Sequence, residues 1–111
     1  MNLGIKSRFW IESENEKFLG SGRVELLEKI DRLGSISKAA AEMKMAYRKA
    51  WGLIKSMNEL SDKPLVIKQT GGKHGGGTVV TTEGKKAIIL YKEFEEDLNF
   101  FLESRMSKLK L

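Results

Sequence analysis

Basic and aromatic side chains are concentrated between residues 46 and 55, at a spacing that lets a helix present them together. Tyr47, Arg48, Lys49 and Lys55 occupy positions that the apolar residues of this stretch leave free. Arginine donates paired hydrogen bonds to a guanine edge, and either cation neutralises a phosphate. A tyrosine packs against a thymine methyl or donates to a phosphate, and Ala46 is small enough to admit a duplex nearby. The chemistry that this pattern indicates is recognition of a nucleic acid.

The net charge of the chain supports the same interpretation once it is located. The 111 residues include 20 Lys/Arg and 15 Asp/Glu, a formal net charge of +5. Residues 35–74 hold eight of the basic and three of the acidic residues, so the remainder of the chain is neutral. A localised excess of this kind favours a polyanionic partner. An ordinary solvated face with several lysines would give the same count, and charge alone does not separate the two.

The elements that position these side chains read as two helices joined by a very tight turn, over residues 35–60. Ile36, Ala39 and Ala40 supply the apolar side of a short first helix. The second helix is predicted from about residue 46 to residue 59. Its inward positions are Ala50, Trp51, Ile54 and Met57, with Tyr47 either free or half-buried at the turn. The pattern predicts a helix-turn-helix, although a generic three-helix core without DNA contact would share it.

The start of the short helix is a candidate phosphate contact. Ser35 and Ser37 compete as its N-cap, and Lys38 follows directly. Free amides at a helix N-terminus suit an anion, so we expect Ser35, Ser37 and Lys38 to meet the DNA backbone. The two serines also serve as caps, and the roles can coexist.

A glycine-rich segment follows and is predicted to form a wing over residues 65–82. Two β-prone runs, 65–70 and 78–82, flank five glycines. We expect Thr70, Lys73 and His74 to reach phosphate or the minor groove. A phosphate cradle for a nucleotide is disfavoured, because Lys73 is followed by His74 and a strand rather than by Ser or Thr and a helix. A surface loop without contacts is the remaining alternative.

The flanks complete a single domain over residues 1–111, predicted to be mostly α with small β elements. A β-hairpin is expected within residues 5–19, followed by a helix that begins after Ser21 as N-cap and ends at Gly34. A long last helix is predicted over residues 83–104, with Thr82 as N-cap. Its apolar residues alternate four and three apart, which is typical of a helix that packs along another helix: Ala87, Tyr91, Phe94, Leu98 and Phe101.

Composition excludes several other classes of function. The chain has no cysteine and one histidine, so thiolate sites and sites with two imidazoles from one chain are excluded. No catalytic constellation is visible, and we expect no enzyme activity. With no long apolar run and no signal-peptide pattern, we expect a soluble cytoplasmic protein without membrane contact.

Three blocks of this sequence carry a resemblance to a known family: MAYRKAW from Met45 to Trp51, MNELS from Met57 to Ser61, and the TGG-K-GGG pattern after residue 69. Over roughly residues 4–103 the chain resembles the N-terminal DNA-binding domain of ModE-type molybdate-responsive transcription regulators and, more distantly, the LysR-type helix-turn-helix. The resemblance implies a winged helix-turn-helix fold. It also implies a homodimer that binds palindromic double-stranded DNA.

The resemblance also implies where the two protomers meet. The N-terminal hairpin, the first helix and the last helix would form the dimer interface, which assigns to it the residues Phe9, Ile11, Leu27, Tyr91, Phe94, Leu98 and Phe101. Regulators of this family carry β-rich molybdate-binding domains after the last helix, and this sequence has no counterpart of them. We therefore expect no cofactor in this chain.

Two other hypotheses stay open. One is a dimeric winged helix that holds a protein partner with its third helix or wing, without specific DNA binding. The other is a sensor of a small molecule or oxyanion within this domain, for which no polar pocket can be identified in the sequence.

Overall fold

The computed structural model describes residues 2–69 and 77–110. Within these ranges the chain forms four helices and two antiparallel hairpins. In chain order the elements are β1 (Ile11–Ser13), β2 (Glu16–Leu19), α1 (Ser21–Leu33), α2 (Ile36–Glu42), α3 (Tyr47–Glu59), β3 (Val66–Gln69), β4 (Gly77–Val80) and α4 (Thr82–Met106). This order confirms a mostly helical winged helix-turn-helix with an N-terminal hairpin and a long C-terminal helix.

The N-terminal hairpin is shorter than the sequence suggests. β1 pairs antiparallel with β2, and Ser13 lies opposite Glu16. Between them Glu14 and Asn15 both have positive φ, 53° and 63°, which matches the tight turns that connect two strands with right-handed twist. Residues 5–10 are not in a strand, since β2 is only four residues long and pairs with residues 11–13 alone. The hairpin expected within residues 5–19 is confirmed, and its strands lie in the second part of that range, from residue 11 to residue 19.

Helix α1 supplies the centre of the core. Val24, Leu27 and Ile30 recur every third residue and are buried, as their spacing predicts. Gly34 ends the helix in the left-handed conformation, with φ 67°, and its amide donates to the carbonyl of Ile30 at 2.7 Å. At the other end the N-cap is Gly20 rather than the expected Ser21, which is the first helical residue, and no side chain caps the helix.

The core lies where α1, α2 and α3 meet the inner face of the β3–β4 hairpin and the first turns of α4. Every one of these elements contributes at least one buried apolar side chain, and Leu19 at the end of β2 closes the core from the other hairpin. The largest of its fully buried side chains are Leu19, Val24, Leu26, Leu27, Ile30, Ile54 and Met57.

Helix α4 extends well beyond this core. It begins one residue earlier than expected, because Thr81 rather than Thr82 is the N-cap and its hydroxyl accepts a hydrogen bond from the amide of Gly84 at 3.0 Å. Its 25 residues make the molecule elongated, with extents of 61 × 28 × 21 Å. No helix in the ranges 2–69 and 77–110 is both long enough and apolar enough to cross a membrane.

Candidate nucleic-acid interface

Helix α2 presents its N-terminal turn to solvent. Ser35 is the N-cap, and its hydroxyl accepts a hydrogen bond from the amide of Lys38 at 3.1 Å. Of the two serines, Ser35 therefore caps the helix, while Ser37 and Lys38 are exposed in its first turn. Ile36, Ala39 and Ala40 are buried beneath them, so the orientation of the exposed residues is fixed by the core.

The turn from α2 to α3 is as tight as the sequence predicts. Lys44 has φ 52°, a left-handed conformation that costs a residue with a Cβ about 1 kcal/mol or more. The turn is closed by backbone hydrogen bonds, with the amide of Met45 donating to the carbonyl of Ala40 at 2.9 Å. Met45 is half-buried under it. This connection fixes the angle at which α3 leaves the domain.

Helix α3 is divided sharply between a buried and an open face. Ala50, Ile54 and Met57 are at most 1% exposed. The predicted contact residues all lie outside this stripe, and Tyr47 is 50% exposed, which favours the free over the half-buried alternative. Exposed in the same way are Ala46, Arg48, Lys49 and Lys55.

Trp51 does not lie in the core. Its spacing predicted a buried position, but its side chain is 38% exposed, one turn along the helix from Tyr47. The ammonium of Lys68, from β3, lies 4.6 Å from the centroid of its ring. Neither residue was predicted to belong to the site. Trp51 follows the buried Ala50 directly, so it stands at the edge of the apolar stripe, where spacing does not separate inside from outside.

The positive charge on this side of the molecule is not neutralised. Within the described residues every ion pair involves α1, α2 or α4: Glu42 with Lys29 and Arg32, and Lys92 with Glu28 and Glu95, besides Lys86 with Glu83. The cations of α3 and β3, and Lys38 and Lys44 beside them, have no acidic partner in these ranges. The open face of α3 is therefore a positive surface that no ion pair within the described ranges neutralises.

The base of the predicted wing is fixed to the helix-turn-helix. β3 and β4 pair with Val66 opposite Val80 and Gln69 opposite Gly77. The amide of Thr78 donates to the carbonyl of Gly34 at 3.0 Å, which ties β4 to the turn between α1 and α2. Thr81 and Thr82, expected in the second wing strand, belong instead to the start of α4. The contact residues Thr70, Lys73 and His74 lie outside the described residues.

The proposed dimer residues divide into two groups. Leu27 is fully buried and Tyr91 is 3% exposed, so both pack inside one protomer and offer no surface to a second. The aromatic ring of Phe9 stacks on that of Tyr91, with centroids 4.7 Å apart, and burial raises the pKa of the Tyr91 hydroxyl, with a smaller contribution from Glu95. The assignment of Leu27 and Tyr91 to the interface was wrong.

The rest of the stripe remains accessible. Phe94 and Phe101 are 53% and 57% exposed, and Leu90, which the sequence analysis did not name, is exposed beside them. Ile11 and Leu98 are half-buried. Leu90, Phe94 and Phe101 form one strip of α4, which we call the α4 apolar strip, because residues three, four and seven apart share a helix face.

The described residues provide little for other chemistry. No group of three or more His, Cys, Asp or Glu within them could hold a metal ion. An open groove of about 630 Å³ runs between the N-terminal hairpin and α4, but its serines already donate their hydroxyl hydrogens to backbone carbonyls, Ser13 to Leu60 and Ser61 to Lys63, both at 2.7 Å. Both serine hydroxyls are thus already engaged as donors, and of the two lysines that line the groove, Lys63 and Lys86, the second is paired with Glu83 at 3.7 Å.

Taken together, the capped short helix, the tight turn, the outward basic face of α3 and the hairpin behind it define a winged helix-turn-helix domain of the bacterial regulatory type. The sequence profile of the bacterial regulatory helix-turn-helix proteins of the lysR family matches residues 22–85. The chain belongs to this family.

Relatives with curated names carry the resemblance further. The chain is 34% identical to the molybdenum transport protein ModE of Azotobacter vinelandii over 93% of its own length and 38% of that protein. It is 40% identical to the transcriptional regulator ModE of Haemophilus influenzae, covering 77% of this chain and 33% of the relative. The corresponding values for the DNA-binding transcriptional dual regulator ModE of Escherichia coli K12 are 41%, 73% and 31%. The ModE resemblance is confirmed, and the chain spans about a third of the length of these relatives.

Proposed function

We propose that this chain is a sequence-specific DNA-binding transcription regulator that acts as a homodimer. Helix α3 enters the major groove, and the hairpin formed by β3 and β4 lies over the flanking DNA. The residues proposed to contact DNA are the exposed ones at the start of α2 and on α3, with Thr70, Lys73 and His74 as further candidates. The proposal assigns binding without catalysis and requires no cofactor in this chain.

The observation that carries the proposal is the unpaired charge of α3. Arg48, Lys49 and Lys55 are exposed and have no acidic partner in the described ranges, whereas Lys29 and Arg32 of α1 and Lys92 of α4 each have one. Cations that contact phosphate release condensed counterions, which drives association, and they can do so only when they are not already neutralised. The relatives named as DNA-binding and transcriptional regulators support the same role.

The α4 apolar strip supports the dimer. Phenyl groups that are more than half exposed leave apolar surface in water, and a second copy of the helix would cover it. A two-fold dimer places two α3 helices on one face of the duplex, so we expect half-sites about 34 Å apart, one turn of DNA, or a multiple of this.

Selection of bound duplexes from a random pool tests the proposal. We expect a palindromic motif, bound with an affinity that falls steeply as salt is raised from about 50 to 200 mM. A chain that enriches no motif, and whose retention on DNA is indifferent to salt, would instead be a module that binds a protein partner.

A matched pair of arginine variants locates the reading surface. Arg48→Ala should lose about 1–3 kcal/mol of binding free energy and relax the preference at one base position. Arg105→Ala removes the same charge from the far end of α4 and should leave the motif unchanged. Equal motifs for native protein and Arg48→Ala would show that α3 is not the recognition helix in the way proposed.

A further inference from the structure

Two large aromatic side chains stand in solvent on α3, one helical turn apart. Tyr47 is 50% exposed and Trp51 is 38% exposed, whereas smaller apolar side chains fill the buried face of the same helix. The indole N–H of Trp51 donates to no other residue in the described part of the chain. Hydrated aromatic surface of this size is unfavourable for the free domain, and contiguous apolar surface of this kind marks interaction sites.

The surroundings of Trp51 indicate what it contacts. Lys68 extends from β3 until its ammonium lies 4.6 Å from the indole centroid. Arg48 lies three residues before Trp51 on α3 and Lys55 lies four residues after it, and both are exposed. No acidic residue occurs in the first turn of α3. An exposed apolar ring with one cation over it, and two more cations three and four positions away on the same helix, is complementary to a ligand that combines negative charge with apolar groups.

Double-stranded DNA presents this combination in its major groove. Phosphates line the groove, and thymine alone among the four bases exposes a methyl group there, on C5. A protein-binding surface of comparable apolar character would be depleted of lysine at its centre, unlike the surface around Trp51.

We propose that Trp51 is a specificity-determining residue that packs its indole against the C5 methyl of a thymine, while Lys68 contacts a phosphate beside it. The inference rests on the proposed function, because it requires α3 to lie in the major groove. It adds to that function a base preference and two contact residues. Trp51 was expected in the core, and Lys68 had no predicted role. The rival explanation is that Trp51 only packs β3 against α3.

Replacing thymine by deoxyuridine removes the C5 methyl and nothing else, so it separates these explanations. Duplexes selected by the native protein are synthesised with each thymine replaced singly. Native protein should bind the duplex substituted at one particular thymine of a half-site, or at its symmetry mate in the other half-site, about fourfold more weakly, the contribution of one buried methyl group. Trp51→Ala should bind that duplex and its thymine parent equally. Arg105→Ala, the control at the far end of α4, should keep the fourfold preference.

A packing role would leave this preference intact. If Trp51→Ala discriminates thymine from deoxyuridine at every position as the native protein does, the inference is overturned, whatever happens to its affinity. Trp51→Gln, polar and well tolerated in helices, replaces Trp51→Ala should the latter fail to fold in a thermal melt.

Lys68 is tested separately through the salt dependence of binding. Lys68→Met keeps the aliphatic stem and should lower the slope of log affinity against log salt by about 2, because the dimer loses one phosphate contact in each protomer, and Lys68→Arg should restore it. An unchanged slope in Lys68→Met overturns the phosphate contact. A native protein that selects no duplex overturns the proposed function itself, whereas selection with a thymine preference independent of Trp51 overturns only this inference.

Discussion

The side chain of Asn58 binds both polar backbone groups of Val66. Its amide nitrogen donates to the Val66 carbonyl at 3.0 Å, and its carbonyl oxygen accepts from the Val66 amide at 3.3 Å and from the Leu65 amide at 2.8 Å. The end of α3 is thereby joined to the start of β3 as if by one rung of a sheet. The proposed recognition helix and the hairpin proposed to flank it share this link.

Asn58→Ala should lower the free energy of unfolding by about 1–3 kcal/mol, because backbone groups of a half-buried strand lose their partners. Asn58→Asp, which keeps the acceptor but faces the Val66 carbonyl with a carboxylate, should also be destabilising. Urea denaturation measures both, with Asn99→Ala on the exposed side of α4 as the control. Hydrogen exchange at Leu65 and Val66 should accelerate in Asn58→Ala, which removes the acceptor of both amides, but not in Asn58→Asp, which keeps it; unchanged exchange in Asn58→Ala would contradict the assigned link.

Two glycines inside helices should respond to alanine in opposite directions. A Cβ at Gly84 would overlap the carbonyl oxygen of Leu65 and lie 2.6 Å from Cγ1 of Val80, so the start of α4 could no longer approach β3 and β4. A Cβ at Gly52, in the middle of α3, would meet nothing within 4 Å.

Gly52→Ala should therefore raise the free energy of unfolding by about 0.5–1 kcal/mol, the helix penalty of glycine, and Gly84→Ala should lower it by at least ~1–3 kcal/mol through overpacking. Thermal melts of the two variants beside the native protein measure the difference. A rise in stability in Gly84→Ala as well as in Gly52→Ala would show that the approach of α4 to Leu65 is not as close as described.

The ion pairs of Glu42 make a small part of the stability depend on pH. Hydrogen bonds from Arg32 and then Lys29 hold the pKa of this carboxyl below its ordinary value, and they join α2 to α1. A depressed pKa in the folded state stabilises the fold above the unfolded pKa of about 4.3, and the contribution is lost as pH falls through the lower, folded value.

Glu42→Gln should accordingly be less stable than the native protein at neutral pH, with a gap that closes in acid and in high salt. Urea midpoints across this pH range measure the gap. Glu96→Gln, at an exposed position without an ion pair in the described ranges, should show none of this dependence. A gap that persists below the folded pKa would mean that Glu42 acts through packing rather than charge.

The sequence was sufficient for the elements whose signal is local. The glycine at the end of α1 and the tight turn before α3 each depend on residues close in the chain, and each was predicted. Trp51 and Leu27 were misassigned for a common reason. Whether an apolar residue in a helical stripe is buried or exposed depends on what packs opposite it. Opposite Trp51 lies Lys68 from β3, whereas Leu27 is enclosed by the core.

The links between elements were also beyond the sequence. Asn58 and the Thr78–Gly34 hydrogen bond join positions 8 and 44 residues apart, through backbone groups that every residue carries. No residue type marks such a partner in advance. The candidate site could thus be predicted as a set of residues on α2 and α3, but not the contacts that hold the hairpin beside them.

The proposed dimer can be tested on the α4 apolar strip. Phe94→Glu places a charge where a phenyl group from each protomer would be buried, and burial of one such group contributes about 1.5–3 kcal/mol. With two copies across a two-fold axis, the dimer should dissociate at least ~100-fold more readily, while the monomer keeps its fold because Phe94 is 53% exposed. Sedimentation velocity over a range of concentrations measures the equilibrium.

Ile89→Glu is the control, since Ile89 is 56% exposed on a different side of the same helix. A native protein that sediments as a monomer at high concentration, or two variants that dissociate alike, would place the interface elsewhere than on the strip of Leu90, Phe94 and Phe101.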